Sequence, residues 1–140
     1  MFSIEYVTKQ EETYWFTMDP NSDKQVFDRK VGDKQGYVLF EDKKPIGIMH
    51  YNLFWDKIPF LNLIVIEEEY RRKGYGRLAI ECWEREMKKS GFSMVLLSTQ
   101  ADEEAQHFYR KLGYKDCGSL ILNEGPLKQP TELFFYKILV

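Results

Sequence analysis

The sequence predicts an α/β (α+β) chain built on one mixed sheet with helices on its faces, and three observations predict it. A strand, a helix and a second strand follow one another from Leu61 to Ser98, and such a unit needs a right-handed crossover onto a parallel neighbour. Elsewhere, short polar connections join apolar runs as antiparallel hairpins do. The chain has 140 residues, 44% hydrophobic and 16% aromatic, enough for one core and too few for two, so residues 1–140 read as a single domain.

Each element has its own warrant. Ile4-Glu5-Tyr6-Val7 alternates apolar and polar residues as a first strand does, and leads into Tyr14-Trp15-Phe16 and the break at Asp19-Pro20-Asn21. Residues 8–35 are read as partly helical. Tyr37 to Phe40 and Ile46 to Tyr51 flank the polar connection Glu41 to Pro45, the pattern of a hairpin. Phe60 to Ile66, apolar on both faces and rich in β-branched residues, predicts a buried central strand.

Ala79, Ile80, Trp83 and Met87 then recur at helical spacing between Tyr75 and Ser90, with Lys88 and Lys89 at the negative end of the dipole and Gly91 placed for a left-handed cap. Met94 to Leu97 follows as a second buried strand. Asp102 is placed to cap another helix, in which Ala105, Phe108, Tyr109 and Leu112 share a face and which Gly113 stops. Tyr114 to Leu122 and Thr131 to Leu139 complete the pattern as two strands.

Composition excludes several functions. Charged residues make up 30% of the chain with a net charge of -2, which gives no reason to expect nucleic acid. No apolar run approaches the roughly twenty residues that span a bilayer, and Met1 to Tyr6 lack the basic region and cleavage site of a secretory signal. No membrane is expected as partner, and cytosolic residence is. Cys82 and Cys117 with His50 and His107 show no disulfide or zinc spacing, so no metal is expected.

The chemistry concentrates in Glu67-Glu68-Glu69-Tyr70-Arg71-Arg72-Lys73-Gly74-Tyr75-Gly76-Arg77. Glycines at 74 and 76 let main-chain N–H groups turn toward an anion, the helix that follows adds its positive dipole end, and Arg71, Arg72, Lys73 and Arg77 supply countercharge. A Walker A loop is ruled out, because Gly76 is followed by Arg77 rather than by Lys and a hydroxyl residue. Gly74 to Ala79 matches the dinucleotide fingerprint, yet the acid expected about twenty residues on is missing, for the next strand ends in Leu97-Ser98-Thr99-Gln100. A nicotinamide-dependent reductase fails on the same ground.

Arg71-x-x-Gly74-x-Gly76 fits the Q/R-x-x-G-x-G/A pattern, and the segment resembles the acetyl-coenzyme A loop of the GNAT N-acetyltransferase superfamily. Downstream, Asp102-x-x-Ala105-x-x-Phe108-Tyr109-x-x-x-Gly113-Tyr114 is similar to that family's N-x-x-A-x-x-h-Y-x-x-x-G-F/Y segment. The resemblance implies a mostly antiparallel sheet of about seven strands, with the fourth and fifth parallel and splayed at the centre. It implies acetyl-CoA as acyl donor, held by Ile64, Val65 and Ile66 along the pantetheine arm and by Arg71, Arg72, Lys73, Gly74, Tyr75, Gly76 and Arg77 at the phosphates.

By the same resemblance Asp102 and Ala105 lie beside the coenzyme, although Asp stands where the family has Asn and cannot donate as an amide does. Tyr109 matches the tyrosine that protonates the departing thiolate, against the plainer reading of a core ring. Glu67 is the nearest carboxylate for a general base, against the plainer reading of one of three solvated acids; an ordered water, the substrate's own amine, His50 or Asn62 are alternatives. The implied reaction is direct transfer of an acetyl group to a primary amine of a small molecule or peptide.

The rival reading from another class is a non-catalytic acyl-CoA sensor, which would keep the loop and need neither Tyr109 nor an acceptor cleft. Tyr14, Trp15, Phe16, Tyr51, Phe54 and Trp55 are candidates for an aromatic acceptor wall or for core, and Leu133 to Tyr136 for a homodimer surface or core.

Overall fold

Adjacent residues on a strand face opposite ways, and His50 and Tyr51 show what that does here. In the computed structural model, which describes residues 1–140, His50 lies against Trp15 at 5.4 Å between ring centroids and Tyr51 against Trp83 at 5.9 Å. Trp15 belongs to helix α1 (Glu12–Met18) and Trp83 to helix α3 (Tyr75–Lys89), so helices cover both faces of the strand between them.

That strand is β3 (Lys44–Phe54). The others are β1 (Phe2–Tyr6), β2 (Gly36–Glu41), β4 (Ile58–Ile66), β5 (Met94–Gln100), β6 (Lys115–Leu120) and β7 (Glu132–Ile138), with helices α2 (Lys24–Gly32) and α4 (Ala105–Lys111). The sheet order is β1-β2-β3-β4-β5-β7-β6, mostly antiparallel, with β4 and β5 parallel. The chain falls into two compact units, residues 1–52 with 61–85, and residues 53–60 with 86–140.

In the first unit Val7, Trp15, Phe27, Val38 and Ile48 form a buried cluster against which Leu63 and Val65 pack. The partly helical stretch expected over residues 8–35 resolves into a 3-10 turn and two helices. Thr8 and Glu11 close a capping box, and the Asp23 side chain accepts from Val26 N at 2.9 Å to start α2. Helix α3 buries Ala79, Ile80 and Trp83. In the second unit β5 pairs with β7 and β7 with β6, both antiparallel.

Four expectations need correction. Phe60 to Ile66 is not a uniformly buried strand: Leu61 is buried, Asn62 is exposed and Leu63 to Ile66 are half-buried. The stretch from Tyr114 to Leu122 yields a strand of six residues only, every one exposed, because β6 is the last strand of the sheet. Phe108 does not join Tyr109 in the core but faces outward. Asp102 does not cap α4: the helix starts at Ala105, with Glu104 at the cap position and no side-chain cap bond.

The physical reason for the last correction is local. Glu103 N donates to Gln100 O at 3.0 Å, so a tight turn takes residues 100–103, and the side-chain amide of Gln106 donates to the carbonyls of Ala101 and Glu103 at 2.7 and 3.0 Å. Asp102 is left exposed on that turn.

Candidate active site

The junction from β4 to α3 is built from its hydrogen bonds. Glu67 N donates to Ile46 O at 2.8 Å, which ends the strand beside β3, and a 3-10 turn over Glu68–Tyr70 reverses the chain. The Arg71 Nε then donates to Ile66 O at 2.8 Å, tying the loop to the strand end. Arg72 and Gly74 both take the left-handed region, at φ 61° and 86°. Leu78 N makes its bond to Gly74 O at 3.1 Å, so the amides of Tyr75, Gly76 and Arg77 precede the first closing bond of the helix and have no partner within it.

The cations of the loop do not all point the same way. Lys73 lies over the Tyr70 ring at 5.7 Å, as does Lys44 at 5.5 Å, and Arg77 pairs with Glu81 at 3.3 Å. Arg71, Arg72, Lys73 and Arg77 are all exposed. Tyr75 stacks on Phe2 at 5.5 Å and its hydroxyl bonds Glu41, a contact that pushes the phenol pKa up.

Ile64, Val65 and Ile66 remain half-buried at the end of β4. Their position depends on a residue the sequence reading passed over. A Cβ on Gly47 would lie 2.4 Å from Val65 O and 3.2 Å from Ile66 Cα, so β3 and β4 approach here as only a glycine allows. A lone glycine in a strand signals nothing by itself; the close neighbour is visible only once β3 and β4 are side by side.

Glu67 is not one of three equivalent solvated acids. It is half-buried, whereas Glu68 and Glu69 are exposed, and the Tyr14 hydroxyl donates to its Oε2 at 2.6 Å. Burial first and then this carboxylate raise the Tyr14 pKa far above its usual value, so the phenol stays a donor that fixes the Glu67 side chain. No sequence signal links residues 14 and 67. His50 is buried on Trp15, and burial together with Lys30 lowers its pKa to about 4, which keeps the imidazole neutral.

In the second unit Tyr109 is 8% exposed, with Tyr114 and Phe135 at 6.1 and 6.3 Å between centroids. Burial, with Glu103 and Glu132, pushes its pKa up to about 12, so it holds its proton at neutral pH. Arg110 locks the same helix through two bonds to Asp116 at 3.0 and 2.9 Å and lies over Phe135 at 5.3 Å. Ala105 opens α4 half-buried. Of the proposed aromatic wall, Trp15 and Tyr51 are core, while Phe54 and the 75% exposed Trp55 line a cavity of about 510 Å³ with Leu96 and Phe134.

The model of the acetyltransferase (GNAT) family matches residues 4–114. The chain belongs to the GNAT family. A Bacillus subtilis (strain 168) protein named "Putative acetyltransferase BSU40680" is 30% identical over 99 residues; the match takes in 71% of this GNAT chain and 65% of that protein's length. Among solved structures, the ribosomal-protein-S18-alanine N-acetyltransferase of Escherichia coli superposes with a TM-score of 0.82 at 16% identity, covering 99% of this chain and 94% of that one. A GNAT family acetyltransferase from Elizabethkingia anophelis with acetyl-CoA bound gives 0.78 at 14% identity, covering 99% and 98%.

The GNAT fold thus agrees with the sequence expectation in strand count, in its mostly antiparallel pairing and in the parallel β4 and β5. No helix of this GNAT chain is long and apolar enough to cross a membrane. Leu133 to Tyr136, candidates for a homodimer surface or for core, lie on β7 between β5 and β6, with Phe135 buried.

Proposed function

We propose that the chain works as one acetyltransferase domain, taking acetyl-CoA as donor and acetylating a primary amine on a small molecule or peptide by direct attack. The observation that carries this reading is the β4–α3 turn: left-handed Arg72 and Gly74, three first-turn amides free of helix bonds and four exposed cations. Such a nest suits a pyrophosphate and a further phosphate. The residues present therefore fit the coenzyme, with Arg71, Arg72, Lys73 and Arg77 as countercharge and Ile64, Val65 and Ile66 along the pantetheine arm.

The thioester supplies an activated acyl carbon. A main-chain N–H of the Ile64–Ile66 stretch stabilises negative charge on the acyl oxygen as the amine nitrogen bonds to the carbon. Glu67, oriented by Tyr14, takes the amine proton directly or through a water. As the carbon–sulfur bond breaks, Tyr109, kept protonated by burial, gives its proton to the sulfur and recovers one from solvent. The half-buried end of β4 supports the first role and the match of Tyr109 to the family's tyrosine the third.

Titration of the chain with acetyl-CoA at low salt, followed by thiol release with a panel of primary amines, tests the reading. Saturable binding and release with at least one amine are expected. Absence of binding removes the enzyme altogether, and binding without release on any amine leaves an acyl-CoA sensor in its place.

A further inference from the structure

Lys30 sits in the last turn of α2 and is only 6% exposed, a rare state for a lysine without an acidic partner. Its Nζ donates to the main-chain carbonyl of Tyr51, a neutral acceptor that takes one of three ammonium protons. Asp33 acts on it through space and makes no hydrogen bond to it. Burial first, then Arg29, lower the Lys30 pKa to about 8, and Lys30 in turn helps to hold His50 neutral. The ammonium is held largely out of bulk water, with a main-chain carbonyl and no carboxylate in hydrogen-bond reach.

Beside it opens a cavity of about 370 Å³, lined by Lys30, Arg29, Asp33, Gln35, Asn52 and Asn62. That volume lies within the range of about 300–1,000 Å³ in which small-ligand sites occur. Three of the lining side chains are amides, whose N–H groups can serve an anion's remaining lone pairs. No residue of the β4–α3 turn lines it; its one contact with β4 is Asn62, two residues before Ile64.

We infer that this cavity binds the carboxylate of a small ligand, with Lys30 as counter-ion, Arg29 at the rim and the amides of Asn52 and Asn62 as donors. Charge selects the class. Two cations and Asp33 leave room for one negative charge, so a single carboxylate brings the group to neutrality, whereas a doubly charged phosphate would exceed it. The inference needs no acetyl transfer and stands if the proposed function fails.

The test is a two-dimensional proton–nitrogen NMR titration of the full chain with sodium acetate at constant ionic strength, with sodium chloride as reference. Saturable shifts are expected on the main-chain amides from Arg29 to Gln35 and on the side-chain amides of Asn52 and Asn62, with a Kd of about 1 mM. Asn62→Asp, at an exposed position, should weaken acetate at least about tenfold by adding a charge of the wrong sign. Lys30→Met should remove the binding, and its own spectrum reports whether it folds. Shifts that chloride reproduces, shifts confined to other parts of the chain, or unaltered acetate binding by Asn62→Asp would overturn the site.

Discussion

Two junctions in this chain lead from a parallel strand into a helix, and they are chemically opposite. After β4 the chain turns through left-handed Arg72 and Gly74 into a helix of fifteen residues, with cations at 71, 72, 73 and 77. After β5 it turns through Asp102, Glu103 and Glu104 into a helix of seven, and the Gln106 side chain fills the turn by bonding two of its carbonyls. Both helices have a positive dipole end, yet only the first suits a phosphate. The contrast teaches that dipole alone does not make an anion site; the turn must leave amides free and the side chains must carry the matching charge.

The sharpest way to break the comparison is Gly74→Asp, which places a side chain at φ 86° and brings into the first turn the charge that marks the second. Acetyl-CoA affinity should fall by about a hundredfold or more, as read by calorimetric titration; retained affinity would mean that the first junction is not the phosphate site. On the α4 side, Tyr109→Phe should lower kcat by roughly a hundredfold while leaving donor affinity nearly intact. Unchanged turnover would return Tyr109 to the status of a packed ring.

Gly47→Ala probes the strand that feeds the first junction. A methyl 2.4 Å from Val65 O must push β4 away, at a cost of about 1–3 kcal/mol in stability, and weaker donor binding should accompany the lower Tm. A variant as stable as the parent would show that the two strands separate freely. The smallest effect belongs to Asp102→Ala. Since Asp102 makes no cap bond, stability should change by no more than about 0.5 kcal/mol, against the roughly 1 kcal/mol that losing a true N-cap costs; denaturant melts distinguish the two.

What could be read from the sequence was what depends on neighbours in sequence. Glycines at 74 and 76 between a β-branched run and an amphipathic one marked the first junction, and Gly91 and Gly113 stop their helices at φ 98° and 96° as their placement implied. The helix that Asp102 was expected to cap was displaced by two residues, because a turn closing on Gln100 outcompeted the cap. Contacts between distant segments left no trace: Tyr14 on Glu67, Lys30 on the carbonyl of Tyr51 and the bare Gly47 against Val65 each join residues far apart in the chain. The exposure of β6 was hidden for the same reason, since Tyr114 to Leu122 has a strand's composition wherever it lies in a sheet.

The bond from Arg71 to Ile66 has a consequence for how a ligand would be met. One of the five guanidinium N–H groups is already engaged, so the plane of the other four is set before any encounter. A long side chain that would otherwise lose its rotational freedom on association has given up part of it during folding. Capture at this rim should therefore resemble a peg entering a fixed socket, with little of the entropic drag of a hand that must first close.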